Sequence, residues 1–117
     1  MHEFGLAEPL LHAALEVAEQ QGGLAVEQVC AQIGRLREVA PEALTFAFNA
    51  LTKGTLAEGA TLVWREIPPR VRCAQCSVAF EPADERIWIC PSCGAAGGEL
   101  LAGNELVMER VVLRNPS

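Results

Sequence analysis

Apolar and polar positions recur along this chain with two different periods, and each period marks a different kind of element. Leu6, Leu10, Ala14, Val17 and Gln21 fall on one helical stripe, and Glu8, His12, Glu16 and Glu19 fall on the opposite one. The pattern predicts an amphipathic helix that ends near Gly22-Gly23. Pro9 suits a first turn but would bend a helix already running from Glu3, so the pattern leaves the start of this helix open. From Leu24 to Leu36 the period drops to two. Val29, Ala31 and Ile33 alternate with Gln28, Cys30 and Gln32, which predicts a strand. Pro41 to Lys53 returns to the helical period, with Pro41 at an early position, Gly54 at the stop, and Leu44, Ala47, Phe48 and Leu51 as its apolar set. Thr61 to Ile67 predicts a second strand, and Pro68-Pro69 stiffens its exit. A cysteine-bearing segment runs from about Arg70 to Gly98. Asn104 to Leu113 predicts a final strand with Val107, Val111 and Leu113 on one face.

The order helix, strand, helix, strand, with a late strand, predicts an α+β fold: a small three-stranded sheet with two helices. The late strand is expected to return to the first sheet, which makes the cysteine segment an insertion between two strands. The expected boundaries are 1–69 plus 104–117 for the α+β domain and 70–103 for an inserted zinc-ribbon module.

Composition sharpens this picture. The chain has 117 residues, half of them hydrophobic, which suits one compact domain carrying a small metal-stapled module. The formal charge is -6, and four thiolates on one divalent zinc would add about two more negative charges. That balance argues against nucleic acid as the main partner, because phosphate binding wants a basic footprint. It fits a protein that handles cations or docks on basic protein surfaces. No secretory signal and no membrane-length apolar run is visible, so the expected compartment is the cytoplasm.

Cys73-x-x-Cys76 and Cys90-x-x-Cys93 are two knuckles with thirteen residues between them. Outside an oxidising compartment such pairs read as metal ligands, and four thiolates suit tetrahedral Zn(II). With all four positions filled by protein, the expected role is a structural staple, and Gly94 frees the backbone behind Cys93. Cys-Pro-x-Cys-Gly also occurs in rubredoxins, where the thiolates hold iron, so the residues alone leave zinc and iron open. Arg70, Arg72 and Arg86 either offset the thiolate charge or are ordinary solvated cations.

The amino terminus offers a second donor set. The Met1 amine, the His2 amide nitrogen and the His2 imidazole would form fused chelate rings, and Glu3 could fill a fourth place. Ni(II) and Cu(II) favour such nitrogen sites. Against this stands the plain reading of an exposed terminal histidine. Cys30 reads as a small half-buried hydrophobe with no cation beside it in the chain, and His12 as part of a solvated helix face.

Taken together, these residues resemble the HypA/HybF family of hydrogenase nickel-insertion proteins. The resemblance rests on Met1-His2-Glu3, Gln32-Ile33-Gly34, the run from Val39-Ala40-Pro41-Glu42 to Phe48, Leu56-Ala57-Glu58-Gly59-Ala60, and both CxxC pairs in order. It implies a metallochaperone rather than an enzyme. It implies transient Ni(II) at His2 with the Met1 amine and Glu3, and structural Zn(II) at Cys73, Cys76, Cys90 and Cys93. It implies work with a HypB-type GTPase in loading the large subunit of [NiFe] hydrogenase; some members also serve urease maturation. The chain has no phosphate-binding Gly-Lys-Ser/Thr loop, so nucleotide chemistry would belong to the partner. Some members carry histidine beside the zinc cysteines, where this chain has Ser77 and Gly94. The rival readings are a zinc-ribbon nucleic-acid-binding module, a rubredoxin-like electron carrier, and a purely structural adaptor.

Overall fold

The computed structural model describes residues 2–115. Helix α1 spans Glu3–Gln20, strand β1 Val26–Gly34, helix α2 Pro41–Thr52 and strand β2 Thr61–Ile67. Three short strands follow: β3 at Arg70–Cys73, β4 at Ala79–Phe80 and β5 at Gly98–Ala102. Strand β6 is Leu106–Leu113. The strands form two three-stranded sheets, one in the order β2-β1-β6 and one in the order β4-β3-β5. The late strand therefore does return to the first sheet, beside β1, and the cysteine segment is inserted between β2 and β6.

The chain divides into two compact units. One takes the chain up to Gln32, Val39–Arg65 and the chain from Leu106 onward; the other takes Ile33–Glu38 and Glu66–Glu105.

In the first unit, α1 packs against α2 and β6. The helix begins at Glu3 and runs through Pro9. Pro9 cannot donate a hydrogen bond to the Gly5 carbonyl, and the Leu6 N–H bonds the His2 carbonyl at 3.2 Å. The buried stripe is wider than the periodicity predicts. Leu6, Leu10 and Ala14 are buried as expected, Ala7, Leu11 and Ala18 join them, Val17 is half-buried, and Gln21 lies beyond the helix and is exposed. A helix that packs on two elements buries a broader arc than one stripe. Strand β1 buries Val29, Ala31 and Ile33 on one face, as the alternation requires. It is shorter than Leu24–Leu36, because Arg35–Arg37 form a 3-10 turn instead. In β6, Leu106 and Met108 are the half-buried positions and Val107 is exposed, contrary to the predicted face; the burial pattern shifts after Glu109.

The second unit has its own small core of Val71, Cys73, Phe80 and Cys90, with Trp88, Ala95 and Leu100 packed on it. Strand β3 pairs antiparallel with β4 through Val71↔Phe80 and with β5 through Val71↔Leu100. The segment Ile33–Glu38 grips the chain leaving β5. Gly34 N–H bonds the Glu105 carbonyl at 2.8 Å, Leu36 N–H bonds the Gly103 carbonyl at 2.9 Å, and the Arg37 guanidinium reaches the Asn104 carbonyl at 3.0 Å. Gly34 is required there, since a Cβ would overlap the Gly103 carbonyl. Arg35 binds Glu66 at 3.1 Å and lies 3.6 Å from both Glu81 and Glu85.

Candidate metal centres

Both CxxC segments fold by the same backbone plan. In the first, Cys73 N–H bonds the Val78 carbonyl and Ser77 N–H bonds the Cys73 carbonyl. In the second, Cys90 N–H bonds the Ala95 carbonyl and Gly94 N–H bonds the Cys90 carbonyl. Each knuckle therefore closes on itself. The residue after its second cysteine is left-handed, with φ 64 at Ser77 and φ 77 at Gly94. The tight turn aims backbone donors at the first sulfur of each pair. Cys73 Sγ accepts from Gln75 N–H at 3.3 Å and Cys76 N–H at 3.5 Å; Cys90 Sγ accepts from Ser92 N–H at 3.4 Å.

Hydrogen bonds to a thiolate favour the charged form. The Cys76 and Gln75 N–H groups hold the Cys73 thiol down to about 6. The Cys93 N–H, with that of Ser92, lowers Cys90 against the opposing effect of burial. These two sulfurs are the buried ones of the set; Cys76 and Cys93 are exposed. All four Sγ atoms lie within 4.8 Å of one another, with Cys73 to Cys93 and Cys76 to Cys90 each at 3.6 Å. A tetrahedron with metal–sulfur bonds of 2.3 Å has sulfur–sulfur edges of about 3.8 Å. The four cysteines thus form a donor set of the right size for one tetrahedral ion, with no position left for substrate.

Of the three arginines considered as partners of this centre, one bonds the backbone of the first knuckle and the other two stand away from it. Arg72 donates to the Ser77 carbonyl at 3.2 Å, Arg86 lies 3.6 Å from Asp84, and Arg70 is exposed.

At the amino terminus, Met1 lies outside the described residues. His2 is exposed and stands at the cap of α1. Glu3 is only 4 % exposed, and its Oε2 accepts the Ala40 N–H at 3.0 Å. The carboxylate thereby ties the first turn of α1 to the residue that caps α2. Pairing of side chain and backbone across thirty-seven positions leaves no local signal, so the sequence reading missed it.

The expectation for Cys30 needs one correction, and that for His12 holds. Cys30 is half-buried as expected, but a cation does stand beside it: Arg110 Nη2 is 3.4 Å from its sulfur. His12 is exposed on the same helix face as Glu8, Glu16 and Glu19.

No helix among the described residues is long and apolar enough to cross a membrane. Residues 1–113 match the family described as hydrogenase/urease nickel incorporation, metallochaperone, hypA. The chain is 39% identical over 107 residues to the hydrogenase maturation factor HypA of Streptomyces avermitilis, covering 91% of this chain and 82% of that one. It is 37% identical over 111 residues to the protein of the same name from Acidithiobacillus ferrooxidans, covering 95% and 97%. In fold it is similar to the solution structure of the Ni metallochaperone HypA from Helicobacter pylori. There the TM-score is 0.68 at 21% identity, with 97% of each chain covered.

Proposed function

This chain belongs to the HypA family of hydrogenase/urease nickel-incorporation metallochaperones, and on that footing we propose that it carries Ni(II) at its amino terminus to an immature [NiFe] hydrogenase while four cysteines hold Zn(II) as a permanent staple. The chain works by binding and release, not by catalysis. The first unit carries the nickel and the second carries the zinc. The observation that supports this division is the contrast between the two donor sets. Cys73 and Cys90 are buried within closed, N–H-bonded knuckles, whereas His2 stands exposed at the start of a helix whose next residue is anchored. A closed thiolate tetrahedron suits retention, and an exposed terminal imidazole suits uptake and transfer.

Nickel is held by the His2 imidazole with the Met1 amine and the intervening amide nitrogen. Glu3 belongs to the same site: its anchored carboxylate fixes the backbone from which the chelate projects. Protons compete for these nitrogens, so acidification releases nickel while zinc stays on its cysteines. The partners are a HypB-type GTPase, which supplies the nucleotide chemistry, and the hydrogenase large subunit. The compartment is the cytoplasm, where free thiols persist.

Calorimetric titration with Ni(II) tests the site. The untagged wild type should bind at least about tenfold more tightly than His2→Ala or a form extended ahead of Met1. Equal affinity in all three places nickel elsewhere. Metal analysis of the purified protein should return one zinc per chain, and iron in its place would refute the staple as described.

A further inference from the structure

Phe4 and Phe46 are two of only six aromatic residues in the chain, and both are spent on the surface. Phe4 is 49 % and Phe46 69 % exposed, yet the rings meet edge to face, with centroids 6.4 Å apart and planes at 81°. At that exposure Phe46 contributes little burial to the core, so packing alone does not account for it. The pair joins α1 to α2 two residues beyond His2. Two exposed carboxylates flank it: Glu8 one helical turn after Phe4 on α1, and Glu42 one turn before Phe46 on α2. Residues four apart share a helix face, so each carboxylate stands beside its ring. An apolar centre rimmed by like charge is the anatomy of a protein docking site rather than of a solvated surface.

We infer that the Phe4–Phe46 pair, rimmed by Glu8 and Glu42, docks a basic segment of the partner protein that sets an apolar side chain against the two rings. This rests on the nickel-carrier reading and locates the contact surface beside that site. The rim charge and the chain's net -6 select a basic partner. The rings exclude water next to His2, so that transfer takes place inside the complex.

The HypB-type GTPase is the probe. Its binding to the untagged, zinc-loaded chain is measured by calorimetry over a range of ionic strength. Phe46→Ser should lower affinity at least about tenfold while nickel affinity and thermal unfolding stay at wild-type values. The double change Glu8→Gln and Glu42→Gln, at exposed positions that leave the core intact, should weaken binding and flatten its salt dependence. Wild-type affinity in Phe46→Ser, or an unchanged salt dependence in the double variant, overturns the docking surface and leaves the nickel site standing. Failure of the wild type to bind the GTPase removes both that partner and the docking surface. Sedimentation showing a dimer that Phe46→Ser abolishes assigns the rings to a second copy of this chain and overturns the inference.

Discussion

Ser77 repeats, with φ 64, the left-handed backbone that Gly94 adopts with φ 77 in the matching place of the other knuckle. The two halves of the cysteine site are alike in hydrogen bonding but not in strain, because only glycine holds that conformation without a steric penalty. Ser77→Gly should therefore be neutral or stabilising, by up to about 1 kcal/mol, and Gly94→Ala should cost about 1–2 kcal/mol. Denaturant unfolding of the zinc-loaded variants measures both. A destabilised Ser77→Gly would mean that the serine side chain contributes more than its backbone costs.

Gly34 should tolerate no side chain, although its φ of -67 is open to any residue. The obstacle is steric: a Cβ would overlap the Gly103 carbonyl and crowd the Asn104 nitrogen. Gly34→Ala is expected to cost about 3 kcal/mol or more, at the upper end of overpacking effects. Gly5→Ala is the control. It sits in α1 with open space around its would-be Cβ and should raise stability by up to about 1 kcal/mol. Thermal unfolding of the pair separates the steric effect from backbone entropy.

Loss of the metal should be local in its effect. The second unit's core has few members, and Cys73 and Cys90 are two of them, so ligand and core side chain are the same atoms. Cys93→Ala, or chelation, should abolish amide protection in β3, β4 and β5 while α1 and β1 keep theirs. Hydrogen exchange reads this directly. Native-like protection of Val71 and Phe80 in a metal-free Cys93→Ala protein would show that the small sheet stands without its ion.

Acid should weaken the first sheet through Glu109. The Arg65 guanidinium, then the Gln32 amide, hold its carboxyl below the usual range. The bonds run from Arg65 Nη2 and Gln32 Nε2 to Oε2 at 3.0 and 2.9 Å. A group whose folded pKa is depressed adds stability above its unfolded pKa and loses it as the pH falls through the folded value. The stability gap between wild type and Glu109→Gln should therefore be full near neutrality and close as the pH drops below about 4. A gap that stays constant between neutrality and acid would exclude the ion pair as its source.

Much of the fold was legible in the sequence because its elements are long enough to show a period. The alternation at Val29, Ala31 and Ile33 marked the inner face of β1, and Pro41 with Gly54 bracketed α2 closely. The strands of the second unit were not legible. β4 has two residues and β3 has four, too few for any alternation, and one of their three buried positions is a cysteine. The site divided along the same line. The CxxC spacing announced the four cysteines that converge, but Glu3 and Cys30 also meet groups thirty-seven and eighty residues away, and only the folded chain brings Ala40 and Arg110 to them. Val107 was placed on one face with Val111 and Leu113, but next to the half-buried Leu106 and Met108 it turns to solvent.

The membership of Ile33–Glu38 in the second unit has a practical meaning for anyone rebuilding this protein. The backbone passes from one unit to the other four times, not twice. A gene fragment cut at Arg70 and Gly103 would leave behind the six residues whose amides and guanidinium clasp its outgoing end. A transplant of the cysteine-bearing half into another scaffold must therefore be stitched from two separate stretches of sequence. A chimera that carries only the obvious insertion should express as a frayed, poorly metallated product, while one that also carries Ile33–Glu38 should not.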